Sequence, residues 1–132
     1  MTEKRISVIP IVKKKRKKQV CLVTSRTSKH WILPTGKYER KHSDKGVAIL
    51  EAFEEAGVVG KLDKAFCETF TYKKSGSGRK RRIKLYLMQV TKIQKKWPEK
   101  KQRKRELIPA KSIKSQVSDK VLAKKLDKFL HA

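Results

Sequence analysis

The chain has 132 residues, with 37 Lys and Arg against 12 Asp and Glu, for a formal net charge of +25. This length fits one domain, residues 1–132, able to bury roughly two-thirds of its unfolded surface. The surviving apolar runs argue against a disordered chain, and none approaches the ~20 residues of a membrane helix.

Arg5 to Val12 (RISVIPIV) reads as a buried strand, with Pro10 predicting an edge or a bulge. Lys13 to Lys18 is KKKRKK, six consecutive cations that must be solvated. Its strand-like flanks predict a hairpin loop, the alternative being a nuclear-localisation or nucleic-acid patch. Gln19 to Thr24 is the return strand, Ser25 to His30 a polar loop, and Trp31 to Pro34 a short apolar stretch. Asp44 to Ala56 is predicted as a helix, capped by Ser43 or Asp44 and stopped at Gly57, with Ile49, Ala52, Phe53 and Ala56 as its core stripe.

Lys61 to Tyr72 and Arg82 to Val90 read as a hairpin across a flexible Ser75–Gly78 tip. Lys95 to Arg105 is a basic loop around Trp97-Pro98, and Glu106 to Ile108 a short last strand. Asp119 to Leu130 is a terminal amphipathic helix. Trp31 and Trp97 read as core or loop anchors, with base stacking as the alternative. Cys21 and Cys67 both fall in apolar stretches and read as reduced core thiols, a disulfide being the alternative. With three scattered His they offer no zinc-ligand spacing. The N-terminus, MTEKRISVIPIV, lacks the pattern of a secretory signal, so a cytoplasmic location is expected. Strands, helix, strands and helix in that order predict a mixed α+β fold.

The charge distribution says more than its sum. Residues 44–60 hold Asp44, Glu51, Glu54 and Glu55 against Lys45 alone, a net of −3 in a chain otherwise basic. Glu51, Glu54 and Glu55 stand at i, i+3, i+4 and share a helix face, placed opposite the expected core stripe. Such oxygen-rich clusters suit Mg²⁺ or Mn²⁺ bridging to phosphates; the plain alternative is a solvated acidic face. The surrounding cations suit polyanionic partners: phosphorylated small molecules, nucleic acid or an anionic surface.

Gly36 to Val58, GKYERKHSDKGVAILEAFEEAGV, resembles the Nudix box G-x5-E-x7-R-E-U-x-E-E-x-G-U over its full 23 residues without a gap. Gly36 matches the first Gly, Glu51 the Glu after Arg, Glu54 and Glu55 the paired Glu, Gly57 the second Gly and Val58 the last aliphatic residue. Two positions depart: His42 stands for Glu and Leu50 for Arg, residues that commonly pair in the family to brace the loop and helix. Glu39 is a candidate partial substitute. Outside the box, WILPTGKYE, KRISVIPI, TSR at Thr24–Arg26 and the segment YLMQVTKIQKKWPEKKQRKRE are similar to the subgroup that cleaves diphosphoinositol and diadenosine polyphosphates.

The resemblance implies a Nudix-like α/β/α sandwich with the box at residues 36–58. It also implies Mg²⁺- or Mn²⁺-dependent hydrolysis of a pyrophosphate bond in a polyphosphorylated substrate. Glu51, Glu54, Glu55 and the Gly36 carbonyl are the implied metal ligands, and Glu54, with Glu51, the implied catalytic carboxylates. Lys4, Arg5, Ser25, Arg26, Arg103 and Arg105 are the implied phosphate contacts. Loss of the His42 and Leu50 pairing raises an alternative: a weakly active or inactive Nudix module binding phosphorylated ligands or RNA. The basic loops are the candidate nucleic-acid contacts.

Overall fold

The computed structural model describes residues 2–74 and 77–131; Ser75 and Gly76 of the expected flexible tip lie outside the described residues. A sheet is built from β1 (Glu3–Lys14), β2 (Lys17–Thr24), β3 (Trp31–Ile32), β4 (Thr35–Lys37), β5 (Val58–Lys73), β6 (Lys80–Ile93) and β7 (Arg105–Pro109). Its main order is β3-β2-β1-β6-β5, with β4 paired to β1 and β7 to β2. β1 and β6 run parallel and the other pairs antiparallel, so the sheet is mixed.

Alternation along the strands separates two cores. Ile6 and Val8 of β1, with Cys21 and Val23 of β2, pack with Val47, Ala48, Ala52 and Ala56 of helix α1 (Asp44–Ala56). Ile9, Ile11, Val20 and Leu22 point the other way, onto Ile113 of α2 (Ile113–Gln116) and Leu122 and Leu126 of α3 (Lys120–Leu130). The period of two thus produces the expected sandwich, with α1 on one face and α2 and α3 on the other. A 3-10 turn at Ala110–Ser112 leads from β7 into α2, an element the sequence pattern does not announce.

Several expectations are met. α1 begins at Ser43, whose Oγ accepts the Gly46 amide at 3.0 Å, and ends at Gly57, which takes φ 65°. KKKRKK forms a hairpin, with Lys14 opposite Lys17 and Lys13 opposite Lys18. Asp119 caps α3 by accepting the Val121 and Leu122 amides.

Three expectations need correction. Pro10 lies in the central strand β1, not at an edge. It sits between the β4 ladder, which ends at Ser7, and the β2 ladder, which begins at Ile11, where the missing amide breaks neither. Cys67 is exposed and unpaired, because a register shift between Leu62 and Cys67 re-phases β5; only Cys21 is a core thiol. The third concerns the phase of α1. Ile49 and Phe53 are exposed, and Val47, Ala48, Ala52, Glu55 and Ala56 form the buried face. Small residues win this face because α1 packs against β1, β4 and β5 at close range. One glutamate is therefore carried inward with them.

Candidate active site

Helix phase decides the character of the carboxylate cluster. Glu55 is 4% exposed, inside the sandwich edge. Its Oε1 accepts the Thr35 amide at 3.2 Å, which ties the helix to β4. The Glu51 carboxyl lies within hydrogen-bonding reach of Glu55 and packs flat on Gly36. A Cβ on Gly36 would stand 2.6 Å from Glu51 Cγ, so glycine is required for this approach. Gly36 itself pairs with Ile6 in the centre of the sheet, so the cluster rests on a rigid floor.

The Glu55 carboxyl is pushed up to about 9, first by burial and then by the neighbouring Glu51. Arg103 opposes that shift, at 3.6 Å from Nη2 to Glu55 Oε2. Burial prevails because Arg103 spends its better-aligned donors elsewhere: Nε on Glu99 at 2.8 Å and Nη1 on the Thr24 carbonyl at 3.0 Å. Glu55 thus holds its proton well above the usual carboxylate range. Glu54 is half-buried, and burial, Glu51, Glu99 and Glu39 raise its carboxyl above the usual range. Among the described residues no three His, Cys, Asp or Glu side chains stand together as a ready ligand set. The expected trio therefore resolves into a contacting pair, Glu51 and Glu55, with Glu54 alongside. The pair still fits a hard divalent cation, since two carboxyls in contact need a proton or a cation between them.

The C-terminal end of α1 is braced by the loop 94–104. Trp97 Nε1 donates to the Glu55 carbonyl at 3.0 Å, and the Glu99 amide to the Glu54 carbonyl at 3.0 Å. Arg105 Nη1 donates to the Ala56 and Gln94 carbonyls, and its guanidinium lies 4.0 Å over the Trp97 ring. Gly57 is enclosed by both: a Cβ there would meet Trp97 and Arg105 at 2.8 and 2.9 Å. Trp97 is therefore a loop anchor. Arg103 and Arg105, the expected phosphate contacts, lie against Glu55 and the helix end respectively. The sequence could not announce this, because an arginine partnered by backbone carbonyls has the same local signature as one facing solvent.

The other expected phosphate contacts fall in two places. The Thr24–Arg26 loop lies beside the later basic segment, since the Lys104 amide donates to Thr24 Oγ1 at 2.9 Å. There a cavity of about 360 Å³ is lined by Thr24, Lys29, Trp31, Lys100, Arg103 and Lys104 among others. Ser25 pairs with Ser28 Oγ at 2.5 Å and accepts the His30 amide, which folds the loop; Arg26 is exposed. Lys4 and Arg5 line a second cavity of about 210 Å³ with Tyr38, Asp44, Arg82 and Lys84. Arg5 also donates to Glu3 Oε1 at 2.6 Å. The sequence pattern marks Arg82 and Lys84 as strand residues and gives them no site role. They reach this place through the parallel pairing Lys4–Arg82 and Ile6–Lys84, which local pattern does not reveal.

His42 and Leu50 are both exposed. His42 stands 3.8 Å from Glu39, with both side chains over half exposed, a weak surface contact.

No family model matches the chain. It is 37% identical over 83 residues to diphosphoinositol polyphosphate phosphohydrolase 3-beta of Bos taurus, covering 62% of this chain and 48% of that protein. It is 38% identical over 80 residues to diphosphoinositol polyphosphate phosphohydrolase 2 of Mus musculus, covering 60% and 42%. The chain thus spans less than half the length of these curated relatives. Among solved structures it superposes on the C. elegans Ap4A hydrolase with TM-score 0.70 at 19% identity, covering 98% of this chain and 96% of that one. It superposes on a Nudix hydrolase from Nitrosomonas europaea with TM-score 0.78 at 12% identity, covering 99% and 89%. The superpositions show that this chain has the Nudix fold, and its box segment is similar in sequence to that of the diphosphoinositol polyphosphate phosphohydrolases.

Proposed function

We propose that the chain hydrolyses a phosphoric anhydride bond in a polyphosphorylated small molecule, of the diadenosine polyphosphate or diphosphoinositol class. The observation that carries this reading is the Glu51–Glu55 pair, pressed against Gly36 and the Thr35 amide within a protein of charge +25. Glu51, Glu55, Glu54 and the Gly36 carbonyl would hold Mg²⁺ or Mn²⁺. When bound, the ion supplies neutralisation of phosphoryl charge.

Each residue has a distinct task in this scheme. Glu54, half-buried with its carboxyl raised above the usual range by burial and by Glu51, takes the proton of the attacking water. Arg103 fixes the Glu55 carboxyl and also lines the cavity beside it, so it positions the acid side against the substrate. Lys29, Lys100 and Lys104, which line that cavity, attract the remaining phosphates, with exposed Arg26 on the neighbouring loop. Lys4, Arg5, Arg82 and Lys84 form a second cationic wall. Arg105 has no substrate role here, because its guanidinium is committed to the helix end.

The test is a panel of diadenosine polyphosphates, diphosphoinositols, nucleoside diphosphate sugars and 5′-triphosphate RNA, with and without Mg²⁺ or Mn²⁺. Metal-dependent turnover of at least one member is expected; no turnover of any member at high protein concentration overturns the reading. One observation favours a second reading, a slow or inactive phosphate-binding module: His42 and Leu50 leave the loop 38–43 without the family's brace. That reading requires stoichiometric binding of a panel member with no hydrolysis.

A further inference from the structure

The hairpin Lys13–Lys18 is not absorbed by the hydrolytic site. Glu51 packs beside the Gly36–Ile6 pair, and Lys14 stands eight positions along β1 from Ile6, about 26 Å at the usual strand rise. No small substrate anchored at the carboxylates reaches it.

Its construction is costly. Lys13 faces Lys18 and Lys14 faces Lys17, two like-charge pairs directly across an antiparallel ladder. Lys15 takes φ 56°, a left-handed conformation that favours glycine, yet a cation stands there. All six side chains are exposed, and among the described residues none has a carboxylate in an ion pair. Solubility needs none of this in a chain of charge +25.

The pleat decides what kind of polyanion fits. Side chains alternate, so the 13/18 pair lies on one face of the ribbon and the 14/17 pair on the other, with Lys15 and Arg16 at the tip. A flat anionic surface would meet one face only, and no apolar side chain sits at the tip to enter a bilayer. A two-stranded ribbon charged on both faces matches a groove with phosphates on both walls. The B-form major groove, about 12 Å wide, admits such a ribbon, whereas the A-form RNA major groove is too narrow.

We infer that the Lys13–Lys18 hairpin is a second binding site, a cationic ribbon that enters the major groove of duplex DNA and contacts the phosphates of both walls. Contacts of this kind position without reading sequence, so binding is sequence-independent and salt-sensitive.

The test uses the full chain, a labelled B-form duplex of about 20 base pairs, its single strand, an RNA duplex of equal length and phosphatidylserine vesicles. K14Q/K17Q and K13Q/K18Q are each expected to weaken duplex DNA binding about tenfold or more at 0.1 M salt. Each should lower the salt slope by about 1.8, the loss of two phosphate contacts. Neither should lower thermal stability, since each removes a repulsion. The control K124Q/K128Q, on the exposed face of α3, should change affinity less than about twofold. Unchanged duplex binding in both hairpin variants overturns the proposal. So does loss confined to one face, equal affinity for the RNA duplex or the single strand, or binding to vesicles in preference to DNA.

Discussion

The two ends of helix α1 are held very differently. At the C-terminal end, Trp97, Glu99, Arg103 and Arg105 enclose the last turn, and every carbonyl from Glu54 to Ala56 has a partner from outside the helix. At the N-terminal end, Ser43 caps the helix and Lys84 holds Asp44 at 2.8 Å, but among the described residues the only side-chain ion pair in the loop before it is the 3.8 Å His42–Glu39 contact. Relative to the box this chain resembles, the bracing pair at positions 42 and 50 is gone. The load on the carboxylates falls on the far end. Replacing both members of a pair by exposed neutral or weakly charged residues strands no charge, so the loss is tolerable once the other end is rigid.

If this contrast is right, substitutions at the two ends should differ in size as well as kind. Arg103→Ala should have the largest effect, about 3 kcal/mol by denaturant unfolding, because it leaves Glu99, the Thr24 carbonyl and buried Glu55 without their shared donor. Arg103→Lys should recover only part, since one ammonium cannot span three acceptors. Trp97→Ala should cost about 2 kcal/mol, below the ~3–5 of a fully buried aromatic, by loss of packing on Gly57 and of the bond to the Glu55 carbonyl.

The proton on Glu55 gives a pH signature. Glu55 is raised to about 9 in the folded chain against an ordinary carboxylate value when unfolded, so between these the folded state binds more protons. Its contribution is fully present below the unfolded value and is lost as pH rises toward 9. Metal-free protein should therefore weaken over that window, and Glu55→Gln should flatten the profile. A contribution that stays flat across this window, with Glu55→Gln leaving the profile unchanged, would show Glu55 ionised beside Arg103. The smallest effect belongs to the N-terminal loop. His42→Glu with Leu50→Arg should change stability by within about 0.5 kcal/mol, as an exposed pair. It should change turnover by less than about tenfold, or 1.4 kcal/mol of barrier. A much larger gain would mean that the loop, not the far end, limits the site.

What the sequence reveals divides along the same line. Strands, caps and helix ends are local, and Ser43, Gly57 and the KKKRKK hairpin are readable from short-range chemistry. The phase of α1 is not. Ile49/Phe53 and Val47/Ala48 both fit a 3.6-residue stripe, and only the close approach of β4 and β5 selects the small residues. That one rotation turns Glu55 from a surface acid into a buried one. The box positions of Glu51, Glu54 and Glu55 are legible because their spacing is fixed within one helix. The cationic contacts are not, because 37 Lys and Arg offer too many candidates. Arg103 and Arg105 are assigned only by tertiary contact with Glu55 and Trp97. Lys84 and Arg82 are assigned only by a parallel pairing 78 residues away in sequence.

The most direct test follows the hydrolysis of diadenosine and diphosphoinositol polyphosphates by phosphorus NMR, with Mg²⁺, for the unaltered chain and for Glu54→Gln. Turnover by the unaltered chain and a fall of roughly 10²–10⁴ in the variant are predicted. An unaltered chain that releases no product, or a variant that matches it, would contradict the account.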